Sequence, residues 1–177
     1  INGGVSWSNW MAATVTGSDS VTTPQTISAY VSFGQDSGPI SQNWVKFRIA
    51  DMVGNPGESS THAIKVDSVP PQNPTALYST THNPSIWSNL NTITWQWSGF
   101  PDDRSGIAGY SYVWDHSATT IPDTTNDTNQ TTVTSTPLTD GFWYFHVRTI
   151  DAAGNIAAGA RHDGPYFIDV TPPTTLF

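Results

Sequence analysis

The chain has 177 residues, no cysteine, and a formal net charge of −8 with only six lysines and arginines. That acidity excludes the clustered cations a phosphate backbone requires, and no apolar run reaches the roughly 18 residues of a membrane span, so neither nucleic acid nor membrane insertion is expected of this segment. Charged residues make up 11% and aromatic residues 12%, with eight tryptophans; hydroxyls and amides keep the surface soluble and rings supply a core without disulfides, a composition that points outside the cell.

In chain order, Ile1-Asn2-Gly3-Gly4-Val5-Ser6-Trp7 reads as a hairpin turn feeding a strand. Val45, Phe47 and Ile49 then alternate with polar neighbours and predict a half-buried strand, with those three residues facing a core. The strand ends in Asp51-Met52-Val53-Gly54-Asn55, and an apolar stretch leads on to Asp67 and Pro70-Pro71. One hundred residues later the pattern returns: a strand through Tyr144 and Arg148, then Asp151-Ala152-Ala153-Gly154-Asn155, Asp169 and Pro172-Pro173. A period this long predicts an array of similar modules.

Between the copies, strands are expected at 75–79, 91–98, 107–115, 131–136, 142–151 and 164–170, with a long polar loop over 116–130. Ile93, Trp95 and Trp97 share one face of their strand, as do Tyr110, Tyr112 and Trp114, and Trp143, Phe145 and Val147. No segment carries a helical stripe, so the chain reads as all-β. Residues 71–170 are expected to form a complete sandwich, and 171–177 a linker and the first strand of a following module. Residues 1–70 read as a partial sandwich lacking its first strands, because 50 residues precede Asp51 where 80 separate Pro71 from Asp151. A half-sandwich leaves strand edges unpaired. It is expected to be completed by chain outside this stretch or by strands of a neighbouring unit, near 1–33 and 171–177.

The run Ser105-Gly106-Ile107-Ala108-Gly109-Tyr110, the two Asp-x-x-Gly-Asn turns and the closing Ile168-Asp169-Val170-Thr171-Pro172-Pro173 resemble the fibronectin type III and bacterial Ig-like repeats of prokaryotic surface proteins, over nearly the whole chain. The resemblance implies tandem Ig-like sandwiches in a non-catalytic repeat of an extracellular fibre, filament, stalk or coat. The same fold serves as a spacer or carbohydrate-binding module of secreted hydrolases, and as an adhesin domain.

Residues able to carry chemistry are sparse. His62, His82, His116, His146 and His162 show no compact ligand spacing, and His146 has the outward parity of its strand, so all five read as structural or solvated. Nucleophile elbows and phosphate loops are missing from the sequence, and Asp102-Asp103 runs into a turn at Arg104-Ser105-Gly106. Neither catalysis nor a cofactor is therefore expected. The one metal alternative is an interdomain calcium held by Asp67, Asp102, Asp103 and Asp169, which lie near module ends. The Asp-x-x-Gly-Asn motifs read as turns, with Gly54 and Gly154 at positive φ and the aspartate capping backbone amides.

Trp44 and Tyr144 have outward parity on matching strands, and Trp7, Trp10 and Trp87 lie near turns; these five are the candidates for sugar stacking or inter-module contact. Asn126-Asp127-Thr128 and Asn129-Gln130-Thr131 fit the glycan acceptor pattern. The partners expected are copies of the chain or adjacent repeats, and glycans.

Overall fold

A computed structural model describes residues 9, 11–16, 26–34, 36–38, 42–51, 53–99, 102 and 104–174. Among them there is no helix, and so none long and apolar enough to cross a membrane. The chain divides into two compact units, Ile1–Asp67 and Ser68–Phe177.

The described residues of the second unit form seven strands: β7 (Ala76–Ser79), β8 (Trp87–Ser88), β9 (Thr94–Ser98), β10 (Ile107–Asp115), β11 (Thr132–Thr134), β12 (Gly141–Asp151) and β13 (Arg161–Ile168). They form a three-stranded sheet in the order β11-β9-β7 and a four-stranded sheet in the order β10-β12-β13-β8. All pairs are antiparallel except β8 on β13. Period-two alternation puts Ile93, Trp95 and Trp97 on the inner face of the smaller sheet. Tyr110, Phe145, Val147, Tyr166 and Ile168 rise from the larger one to meet them, and all eight are buried in one cluster. Trp95 stacks on Phe145 at 4.5 Å with the rings 12° apart, and Trp97 meets Tyr110 edge-on at 5.3 Å. Offset stacks and T-shaped contacts satisfy the ring quadrupoles. Burial pushes the Tyr110 hydroxyl up to about 12, against a smaller pull from the Trp97 indole. The core is the aromatic sandwich that the alternation predicts.

In the first unit, β1 (Thr14–Thr16) pairs with β2 (Thr26–Ser28), β3 (Asn43–Val45) with β6 (His62–Ile64), and β4 (Arg48–Ala50) with β5 (Pro56–Glu58). Each pair is a separate two-stranded ribbon. Here the expected core is not realised. Val45 is half-buried, Phe47 is 43% exposed and Ile49 62% exposed, whereas Phe145 and Val147, at the matching positions of β12, are wholly buried. The physical reason is the partner surface. β12 pairs along most of its length with β10 on one side and β13 on the other. Its counterpart breaks at Lys46-Phe47 into β3 and β4, and each half has a single described strand beside it. Period two sets which way a side chain points; it does not supply a sheet to cover it.

Candidate functional site

The two Asp-x-x-Gly-Asn turns are built alike. Asp51 Oδ1 accepts from the amides of Val53 at 3.0 Å and Asn55 at 2.8 Å, and its Oδ2 from Asn55 Nδ2 at 2.8 Å. Asp151 Oδ1 accepts from Ala153 at 2.9 Å and Asn155 at 2.8 Å, and its Oδ2 from Asn155 Nδ2 at 2.8 Å. Gly54 and Gly154 take φ of 92° and 91°, a region closed to most side chains. The carboxylates are thus consumed by backbone amides, as the spacing predicts. Asn55, by its side chain first and its amide next, holds the Asp51 carboxyl below the usual carboxylate range.

Of the aromatic candidates, Trp87 finds company. It lies opposite Phe167 across the parallel β8–β13 pair, and Phe167 lies opposite Phe142 on β12. The three rings form a ladder over adjacent strands, with centroids 5.1 Å apart between Trp87 and Phe167 and 4.8 Å between Phe167 and Phe142. Trp87 is 57% and Phe142 53% exposed. Sequence reading flagged Trp87 alone, because a two-residue strand leaves no alternation to read and its register was not legible. Tyr144 is half-buried at a bulge of β12, where its ring faces the backbone of Gly164. Trp44 is half-buried and lines an open groove of the first unit, about 1040 Å³, together with Met11, Tyr30, Phe47, Ile49 and Ile64. Trp7 and Trp10 lie outside the described residues.

The loop over 116–130 straps across the outer side of β10 and β12. Asp127 Oδ2 accepts from the Tyr112 amide at 2.9 Å and from Ser111 Oγ at 3.2 Å. Thr128 and Asp127 exchange backbone hydrogen bonds with Tyr110, blocking part of the free edge of β10. Arg148 donates from Nη1 to the Pro122 carbonyl at 3.2 Å. Asn126 lies against Gly109, with its Nδ2 3.4 Å from the Ala108 carbonyl, while Asn129 is exposed and its Oδ1 accepts from Gln130 Nε2 at 2.9 Å. Both acceptor asparagines are exposed.

His146 has outward parity, yet it is wholly buried and its ring meets His162 and Asp115, so of the two roles expected for it, structural or solvated, it takes the structural one. Linear spacing gave no sign of the His146–His162 contact, which is made across β12 and β13 by partners 16 positions apart. Among the aspartates considered for calcium, Asp102 Oδ1 caps the Arg104 amide at 3.0 Å and Asp169 Oδ1 the Thr171 amide at 3.1 Å. Asp102 and Asp151 bring carboxylate oxygens within 4.8 Å of each other. Asp67 closes the first unit, and Asp103 lies outside the described residues. No protein-family model matches the chain, and no curated protein matches it either.

Proposed function

We propose that this chain is a non-catalytic structural repeat of an extracellular cell-surface fibre, filament, stalk or coat. It would be assembled from tandem Ig-like or fibronectin-type-III-like sandwiches, with β-strands paired between units. The observation that carries the reading is the contrast between the twin turns. The same hydrogen-bonded turn closes a buried core in one unit and borders an open apolar groove in the other. A module repeated in sequence but left open invites completion by added strands, the mode of β-augmentation.

Magnitudes bear on how completion occurs. Covering what remains exposed of Phe47 and Ile49 gains less than the about 1.5–3 kcal/mol of burying each side chain fully. Free association costs roughly 4–15 kcal/mol, so two side chains alone do not hold a separate copy. Several more groove residues and a row of backbone hydrogen bonds are required, or a neighbour tethered in the same chain, whose high effective concentration removes most of that cost. The test is residues 1–67 in isolation. They should either fail to unfold cooperatively or self-associate as concentration rises; a monomer with a sharp unfolding transition contradicts the proposal.

The exposed ladder of Trp87, Phe167 and Phe142 favours a second reading, a carbohydrate-gripping or spacer module of a secreted hydrolase, since flat rings stack on sugar faces. Binding of soluble polysaccharides that is lost in Trp87→Ala would support it. Absence of binding across neutral and acidic glucans, chitin and mannan would remove it.

A further inference from the structure

On the outer face of the larger sheet, register sets Trp87, Phe167 and Phe142 in one row across β8, β13 and β12. Trp87 and Phe142 are themselves 6.0 Å apart, so the three rings close into a triangle, with planes tilted by 48° to 57°. Rings tilted this way offer notches for branched side chains, where a sugar chain asks for one plane. Ile86 and Leu90, on either side of β8, are 59% and 47% exposed. The next row, Gly141 and Ile168, turns to the other face. Two residues from Phe142 and Phe167, parity returns Asp140 and Asp169 to the outer face, and both are exposed. The Thr171 hydroxyl and the Val170 amide hold the Asp140 carboxyl below the usual carboxylate range. The four-stranded sheet ends at β8, whereas Asp127 and Thr128 occupy part of its other edge, at β10.

The groove of the first unit has a rim of the opposite sign. Trp44, Phe47 and Ile49 line it together with two cations, Lys46 and Arg48, and among its described lining residues one carboxylate, Glu58, which pairs with Lys46. A positive excess there stands out in a chain of net charge −8. We propose that the Trp87–Phe142–Phe167 face of one copy seats in this groove of a second copy, head to tail, with Asp140 and Asp169 toward Lys46 and Arg48. Apolar surface meets apolar surface, while the opposed rims set the orientation and disfavour the meeting of two like faces. This interface deepens the fibre reading and rests on it: the second copy brings the further apolar residues that Phe47 and Ile49 need in order to hold a partner. The contact is heterologous, because a copy docked by one face keeps the other free. Such contacts run on into filaments or close into rings, and do not stop at a pair.

The experiment is sedimentation velocity on the whole chain, from micromolar to millimolar concentration. The parent should grow past the dimer as concentration rises, and less so in high salt, which screens the rims. Trp87→Ala and Ile49→Asp, both at exposed positions and each checked for fold by circular dichroism, should each weaken association by roughly tenfold or more. Mixed together, these two variants retain one intact face of each kind and should stop at a heterodimer. Within that heterodimer, Asp169→Lys on the Ile49→Asp member should weaken binding roughly twofold to fivefold, and Arg48→Glu on the Trp87→Ala member should restore it. A parent that assembles while Trp87→Ala assembles equally well overturns this interface and leaves the fibre reading standing. A parent that stays monomeric throughout overturns it too, and leaves only modules joined covalently in tandem. Dissolution of the assemblies by a soluble polysaccharide that protects Trp87 would name sugar as the occupant, and would also overturn it.

Discussion

Gly164 sits at φ +124° opposite the bulge of β12, and a Cβ there would meet the Trp143 carbonyl oxygen at 2.8 Å and the Tyr144 ring at 3.1 Å. The carbonyl belongs to a strand paired on both sides and has little room to retreat. Gly164→Ala should therefore cost about 1–3 kcal/mol, read as a lower midpoint in urea. Its neighbour Asp163 accepts from the Tyr166 hydroxyl. Burial raises the Asp163 carboxyl above its ordinary value, more than that hydroxyl, the Gly164 amide and Arg161 pull it back. A raised folded value means the group's contribution is fully present below the unfolded value and is lost as pH rises through the folded one. Asp163→Asn keeps an acceptor for Tyr166 and removes the half-buried charge, so its Tm should exceed the parent's at pH 7, and the difference should vanish by about pH 3. A lower Tm at pH 7 would show that the carboxylate is needed ionised.

The twin turns allow the same substitution to be compared in two settings. Asp151 is buried and serves two backbone amides and an amide side chain; Asp151→Ala strands those donors and should cost about 2–4 kcal/mol. Asp51 makes the same bonds in the open, where water replaces them, and Asp51→Ala should shift the urea midpoint less. Since Asn55 depresses the Asp51 carboxyl, that contribution is present above the ordinary aspartate value and lost as pH falls through the depressed folded value. These turns were fully legible in sequence because everything that shapes them lies within five consecutive residues. Strand β10 was legible because Tyr110, Tyr112 and Trp114 recur at period two, although a bulge between Ile107 and Gly109 breaks the alternation at its start. Strand β8 has two residues and no pattern to show. The Trp87 ladder depends on register between β8 and β13, strands distant in sequence, and the His146–His162 pair on the register of β12 with β13, which no linear spacing encodes.

For the molecule as a whole, the same inward pattern produces a buried core in Ser68–Phe177 and an exposed apolar set in Ile1–Asp67. Alternation assigned Val45, Phe47 and Ile49 to a face, and the missing information was whether a second sheet lies over that face. The assembly proposed for the chain follows from the self-insufficiency of the first unit. Hydrogen exchange by mass spectrometry on the whole chain, at a concentration where it is monomeric, measures that self-insufficiency. Backbone amides of 43–64 should exchange orders of magnitude faster than those of β10, β12 and β13. Equal protection in the two units of a monomer would contradict it.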